Sequence, residues 1–235
     1  MALSTDLSEI LKSNGANMVG FADLRKLPEN IRDVFPRGIS IGVALDPGIV
    51  LGIKEGPTRE YYEEYRRINR LLGSLGRRAA RFLEKQGFSA KAYAATSVGI
   101  DFKTHTTRLP HKTIATRAGF GWIGKCALLV TEPFGPAVRL TTVLTDAELP
   151  AGKPIDKSRC GDCTVCVDAC PGHAPSGRNW ELGLYRDSFF NPYDCRKTAR
   201  KLARERADIR ETICGICIAA CPWTQKYVKK RLEHE

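Results

Sequence analysis

The sequence predicts an α+β fold over residues 1–150, followed by a smaller, metal-organised module over residues 151–235. Three observations carry this reading. One long amphipathic run, Thr58 to Gln86, lies among short apolar segments bounded by Gly, Pro and Asp. The stretch from Asp146 to Pro154 then turns to loop-forming residues. Eight of the nine cysteines fall after that stretch.

Taken in order, Met1 to Gly15 reads as an amphipathic helix, with Thr5 and Asp6 placed to cap it through Leu11. Asn17 to Leu24 reads as a strand, and Ile39 to Leu45 as another, bounded by Gly38 and Asp46-Pro47. In the long helix Tyr62, Tyr65, Ile68, Leu71, Leu72, Leu75, Ala79, Phe82 and Leu83 recur at three- and four-residue intervals, and Gly87 stops it. Ala90 to Ala95, Ala127 to Thr131 and Ala137 to Leu144 read as strands, the last two joined by a turn at Pro133 to Pro136. A helix from Asp194 to Arg206 is the main element of the second module, which has little else to build a core and depends on its metal.

At 235 residues and 43% hydrophobic content the chain can bury one good-sized core and a satellite. Its longest apolar stretch, Ile39 to Ile53, is broken by Asp46 and Pro47, so no membrane span is expected. Asp6, Glu9 and Lys12 in the first segment do not fit an export signal. Tightly spaced cysteines without such a signal point to thiolate–metal chemistry in a reducing cytoplasm rather than to disulfides. The net charge is +11, and from Arg196 to Arg231 eleven lysines and arginines face three acids. Two anionic clusters would bring the total to about +7, so much of this basic run compensates the cofactors. No recognisable nucleic-acid module accompanies it.

Cys160, Cys163, Cys166 and Cys170, followed by Pro171, form the C-x2-C-x2-C-x3-C-P run of bacterial ferredoxins. In that run three thiolates wrap one cubane from a tight loop, while the fourth cysteine starts a helix and ligates the other cluster. Cys214, Cys217 and Cys221, followed by Pro222, lack one member of the run, which Cys195 supplies. The count closes as two 4Fe-4S clusters. Cys160, Cys163, Cys166 and Cys221 hold the first, and Cys170, Cys195, Cys214 and Cys217 hold the second. Zinc ribbons also use C-x2-C pairs, but the proline-terminated cadence with a reciprocal fourth ligand is that of ferredoxins. Cys126 is left over, and beside Ala127 to Val130 it reads as a small buried hydrophobe.

The segment Ala118-Gly119-Phe120-Gly121-Trp122-Ile123-Gly124-Lys125, followed by the double cysteine pattern, resembles the epoxyqueuosine reductase family. The resemblance runs from about Val43 to Trp223 and is close to short members carrying a Leu109-Pro110-His111-Lys112-Thr113 stretch. It implies a cobalamin-type domain of pared-down nitroreductase-like fold, related to that of reductive dehalogenases, ahead of the ferredoxin-like module. Longer members reduce an epoxide on a modified tRNA base, using base-off cobalamin fed by two 4Fe-4S clusters. On this resemblance Gly119, Gly121 and Gly124 would let the backbone approach a flat macrocycle. Trp122 would pack on that ligand or in the core, and Lys125 would meet a phosphate or propionamide group or lie at the surface. The family's proton donor is an aspartate, whose place falls on His105 here, with His111 the nearest substitute. The family's helical-repeat domain has no counterpart after Trp223, so tRNA is not an expected substrate.

The implied function is an iron–sulfur oxidoreductase relaying single electrons to a cobalamin that reduces an unknown substrate. A donor such as a ferredoxin or flavodoxin would supply the electrons. The alternative is a ferredoxin-type electron-transfer protein without a catalytic cobalamin of its own.

Overall fold

A computed structural model describes residues 2–96 and 100–233 of the chain. Helix α1 (Ala2–Ser13) leads into strand β1 (Met18–Asp23), the short helix α2 (Glu29–Arg32) and strand β2 (Arg37–Ala44). Helices α3 (Pro47–Leu51) and α4 (Arg59–Lys85) follow, then strands β3 (Ala90–Ala92), β4 (Ile100–Asp101) and β5 (Thr106–Thr107). Helix α5 (His111–Arg117) precedes strands β6 (Gly121–Ile123), β7 (Leu129–Thr131) and β8 (Val138–Thr145). The remainder holds helices α6 (Val165–Asp168), α7 (Pro192–Ala207), α8 (Ile216–Ala220) and α9 (Pro222–Leu232).

The chain divides into two units, each assembled from separated segments. Met1–Ala44, Ile68–Phe120 and Arg139–Ile155 form the first. Leu45–Arg67, Gly121–Val138 and Asp156–Glu235 form the second. The second unit thus contains two segments that precede residue 150.

In the first unit a sheet of order β1-β2-β8-β3 carries the core. Strands β1 and β2 pair antiparallel from Met18↔Gly42 to Asp23↔Arg37, and β3 pairs antiparallel with β8 from Ala90↔Thr145. Ile39, Ile41, Val143 and Leu144 of this sheet are buried, as are Leu7 and Leu11 of α1, so the amphipathic face of α1 is closed off from water. That helix begins at Ala2 rather than at Thr5 or Asp6. Both of those residues lie inside it, and the capping expectation is corrected: Ala2, Leu3 and Ser4 extend the helix N-terminally. Asp33, in left-handed backbone conformation, accepts hydrogen bonds from Lys91 (2.5 Å), Tyr93 and Arg108, and this cluster pins the edge strand β3.

Helix α4 follows its sequence periodicity. Ile68, Leu72, Leu75, Ala79 and Leu83 are buried on one face. Thr58 caps its start by accepting from the Tyr61 amide at 3.2 Å. In its first turn the buried ring is Tyr61, whereas Tyr62 turns outward and donates its hydroxyl to Glu211.

In the second unit β6 and β7 form a tight antiparallel pair, with Trp122 opposite Val130. Tyr227 of α9 donates to the Leu45 carbonyl at 2.8 Å and meets Phe134 edge-to-face at 5.1 Å. Helix α7 starts two residues before Asp194, because Asn191 accepts from the amides of Tyr193 and Asp194 and Pro192 occupies the first turn.

Candidate metal centres

Cys160 and Cys163 lie in the loop before α6, Cys166 lies within α6, and Cys221 caps the N-terminus of α9 ahead of Pro222. These four thiols wall one cavity of about 110 Å³, completed by Gly124, Lys125, Cys126, Val130, Pro222 and Trp223. One water takes roughly 30 Å³ in the liquid, so the space holds more than a single ion. A tetrahedral zinc would need all four sulfurs at about 2.3 Å from one point. Among the described residues no three His, Cys, Asp or Glu side chains converge on such a point. The four thiols line one cavity rather than converging on a point.

The remaining cluster cysteines gather elsewhere in the same unit. Burial pushes the Cys195 thiol up to about 11, and the neighbouring Cys170 and Cys214 push it the same way. Cys214 is likewise raised by burial first and by Cys170. Cys221 is pushed to about 11 by burial, its thiolate favoured by the backbone amides of Trp223 and Thr224 and disfavoured by Cys160 and Cys166. Thiols that depress one another's ionisation are close neighbours, so Cys221 keeps company with the first loop while Cys170 sits with Cys195 and Cys214. A metal bound at these thiols would have to displace their protons. Cys170 does not start a helix; it follows α6 and leads into a turn at Pro171-Gly172, whereas Cys221, the other cysteine that precedes a proline, takes the N-cap position of α9.

Cys126 lies between the two sets. It is buried; the nearby Cys166 favours its thiolate, while Cys217 and burial together push its pKa well above the usual thiol range. Spacing along the chain carries no sign of this proximity, because Cys126 lies 34 residues before the first cysteine of the run.

That pairing also accounts for the glycine-rich segment. A Cβ on Gly121 would lie 1.9 Å from the Val130 carbonyl oxygen, and one on Gly124 would lie 2.7 Å from the Val130 side chain and 3.7 Å from the Cys160 sulfur. Both positions admit only glycine because the chain's own β7 strand is there. Gly119, at φ +79°, makes the turn after α5, where a side chain would meet the Lys153 carbonyl at 2.8 Å. Trp122 is fully buried, stacks edge-to-face on Trp223 at 5.4 Å, and donates its indole N–H to the Cys160 sulfur at 3.4 Å. Lys125 borders the thiol cavity.

His105 occupies the β4–β5 loop in left-handed conformation, and its charge helps to hold Asp101 below the usual carboxylate range, after the Lys103 amide and the Thr104 hydroxyl. His111 is the first residue of α5. Its Nε2 donates to the Ala94 carbonyl at 2.8 Å, leaving Nδ1 to accept from the Thr142 hydroxyl at 2.9 Å. Burial pushes its pKa down against the opposing pull of that carbonyl.

A family model for the 4Fe-4S double cluster binding domain matches residues 159–224. The epoxyqueuosine reductase of Prochlorococcus marinus is 29% identical over 167 residues, which is 67% of this chain and 47% of that protein. The enzyme of Lactococcus garvieae is also 29% identical, over 69% of this chain and 46% of its own length. The chain is related to the epoxyqueuosine reductases. It carries their double-cluster module, and it spans about half the length of these curated relatives. The solved epoxyqueuosine reductase from Streptococcus thermophilus superimposes with a TM-score of 0.62 at 19% identity, covering 96% of this chain and 67% of that one. A catabolic reductive dehalogenase superimposes at 0.69 with 16% identity, over 92% of this chain and 32% of its own. Another, described in terms of B12-dependent dehalogenation, reaches 0.67 at 16% identity, over 97% and 33%. The fold is therefore the mixed α+β catalytic-domain fold of these reductases joined to a double-cluster module. No helix among the described residues is long and apolar enough to cross a membrane.

Proposed function

We propose that this protein is an iron–sulfur reductase that passes single electrons through two adjacent 4Fe-4S clusters to an acceptor. The observation that carries the reading is Cys126, a buried thiol close enough to Cys166 of one set and Cys217 of the other to be influenced by both, which supports two neighbouring centres. Cys160, Cys163, Cys166 and Cys221 would hold the first cluster, and Cys170, Cys195, Cys214 and Cys217 the second. When bound, such clusters supply one-electron transfer. The protein's part is to hold the thiolates apart, to aim the Trp122 N–H at a ligand sulfur, and to fill the gap between the sets with a buried thiol that keeps water out. A small carrier of the ferredoxin or flavodoxin kind, in a reducing cytoplasm, is the matching donor.

Cobalamin is the acceptor that relatedness to B12-dependent reductases favours. Gly119, Gly121, Trp122, Gly124 and Lys125 each have a place that the chain's own strand, turn and thiol cavity explain without a macrocycle. For a proton delivered to a reduced product the candidates are His105 and His111, and both ring nitrogens of His111 are engaged. The same accounting favours a second reading, in which the acceptor is a docked partner and the protein is an electron carrier.

Anaerobic titration of the cluster-loaded protein with cob(II)alamin separates the two. The reductase reading expects the corrin bands to shift toward the base-off form. Full cluster loading with no spectral or calorimetric trace of corrinoid would leave the electron-carrier reading.

A further inference from the structure

Lys125 is only 4% exposed, a burial that lysine almost never reaches without a charge partner. Among the described residues it makes no ion pair with an aspartate or glutamate. It borders instead the cavity walled by Cys160, Cys163, Cys166 and Cys221. The other walls are Gly124, Val130, Pro222 and Trp223, largely apolar surroundings in which a charge acts strongly. Its charge acts on Cys166 in the sense that favours the thiolate.

A buried ammonium is costly unless an anion stands beside it. With four thiolates, a 4Fe-4S cluster carries about two net negative charges, and reduction adds one more. We infer that Lys125 is the buried counter-charge of the first cluster and raises that cluster's reduction potential by favouring the more negative, reduced form. This rests on the two-cluster reading above. It also explains why a lysine follows Gly124 at the point where the chain passes the Cys160 sulfur.

The test is an EPR-monitored redox titration of anaerobic, reconstituted protein, with iron counted in every sample. In K125Q with both clusters loaded, the first cluster should move to lower potential. At a fixed poise its ratio of reduced to oxidised form should fall at least tenfold, about 59 mV for a one-electron couple. The second cluster serves as internal reference, and K125R should stay close to wild type. An unmoved first cluster in fully loaded K125Q, or equal displacement in K125R, would overturn the inference. If K125Q does not retain the first cluster, K125R decides: restored loading supports a charge role, and equal loss shows that the site needs the shape of lysine instead. Wild-type protein that fails to take up both clusters would instead defeat the two-cluster reading itself.

Discussion

Trp122 donates its indole N–H to the sulfur of Cys160 at 3.4 Å, with its ring wholly closed to solvent. Hydrogen bonds to ligand sulfur stabilise the electron-rich reduced cluster and raise its potential. Trp122→Phe keeps a ring against Trp223 but loses the donor. It is expected to retain both clusters and to lower the potential of the first, as read by EPR titration; an unchanged potential would count against the contact. Trp122→Ala should cost roughly 3–5 kcal/mol of stability through the cavity it leaves.

Cys126 lies close to both thiol sets without belonging to either count. Cys126→Ser should load about eight irons and eight labile sulfides, as wild type does. Iron near four in that variant would mean that the ninth thiol is a ligand.

His111 gives the first unit a pH dependence. Burial lowers its folded pKa, so as pH falls below about 6.5 the unfolded chain takes up a proton that the folded chain resists. Its contribution is complete above that pH and declines as the solution is acidified toward the folded pKa. The melting temperature should therefore fall between pH 7 and pH 5 less steeply in His111→Gln than in wild type. Parallel pH profiles would show that His111 titrates normally.

Much of the first unit was legible because its signals are local and long. The face of Ile68, Leu72, Leu75, Ala79 and Leu83 fixes α4 within a residue at either end, and the apolar run from Ile39 fixes β2. The double-cluster module was legible for a different reason, since its cysteine spacing is dictated by the cofactor. What escaped was pairing between distant short segments. Gly121-Trp122-Ile123 is too short and too glycine-rich to read as a strand, and its requirement for glycine comes from Val130, on the strand opposite. Read alone, the same residues look like a ligand loop. Helix α5, seven residues opening on His111, was missed because its only start signal is Pro110, and its burial depends on tertiary packing. The assignment of residues 45–67 to the second unit likewise follows from contacts such as Tyr227 to Leu45, which no linear boundary reveals.

The last cysteine of the chain is placed across the two sets. Cys221 is nearer in sequence to Cys214 and Cys217, yet it walls the cavity of Cys160, Cys163 and Cys166. The most direct measurement is iron content and EPR of anaerobically reconstituted Cys221→Ala beside Cys217→Ala and Cys160→Ala. The crossing predicts about four irons in each, with Cys221→Ala and Cys160→Ala losing the same cluster and Cys217→Ala losing the other. A Cys221→Ala protein whose surviving cluster matches that of Cys217→Ala would contradict it.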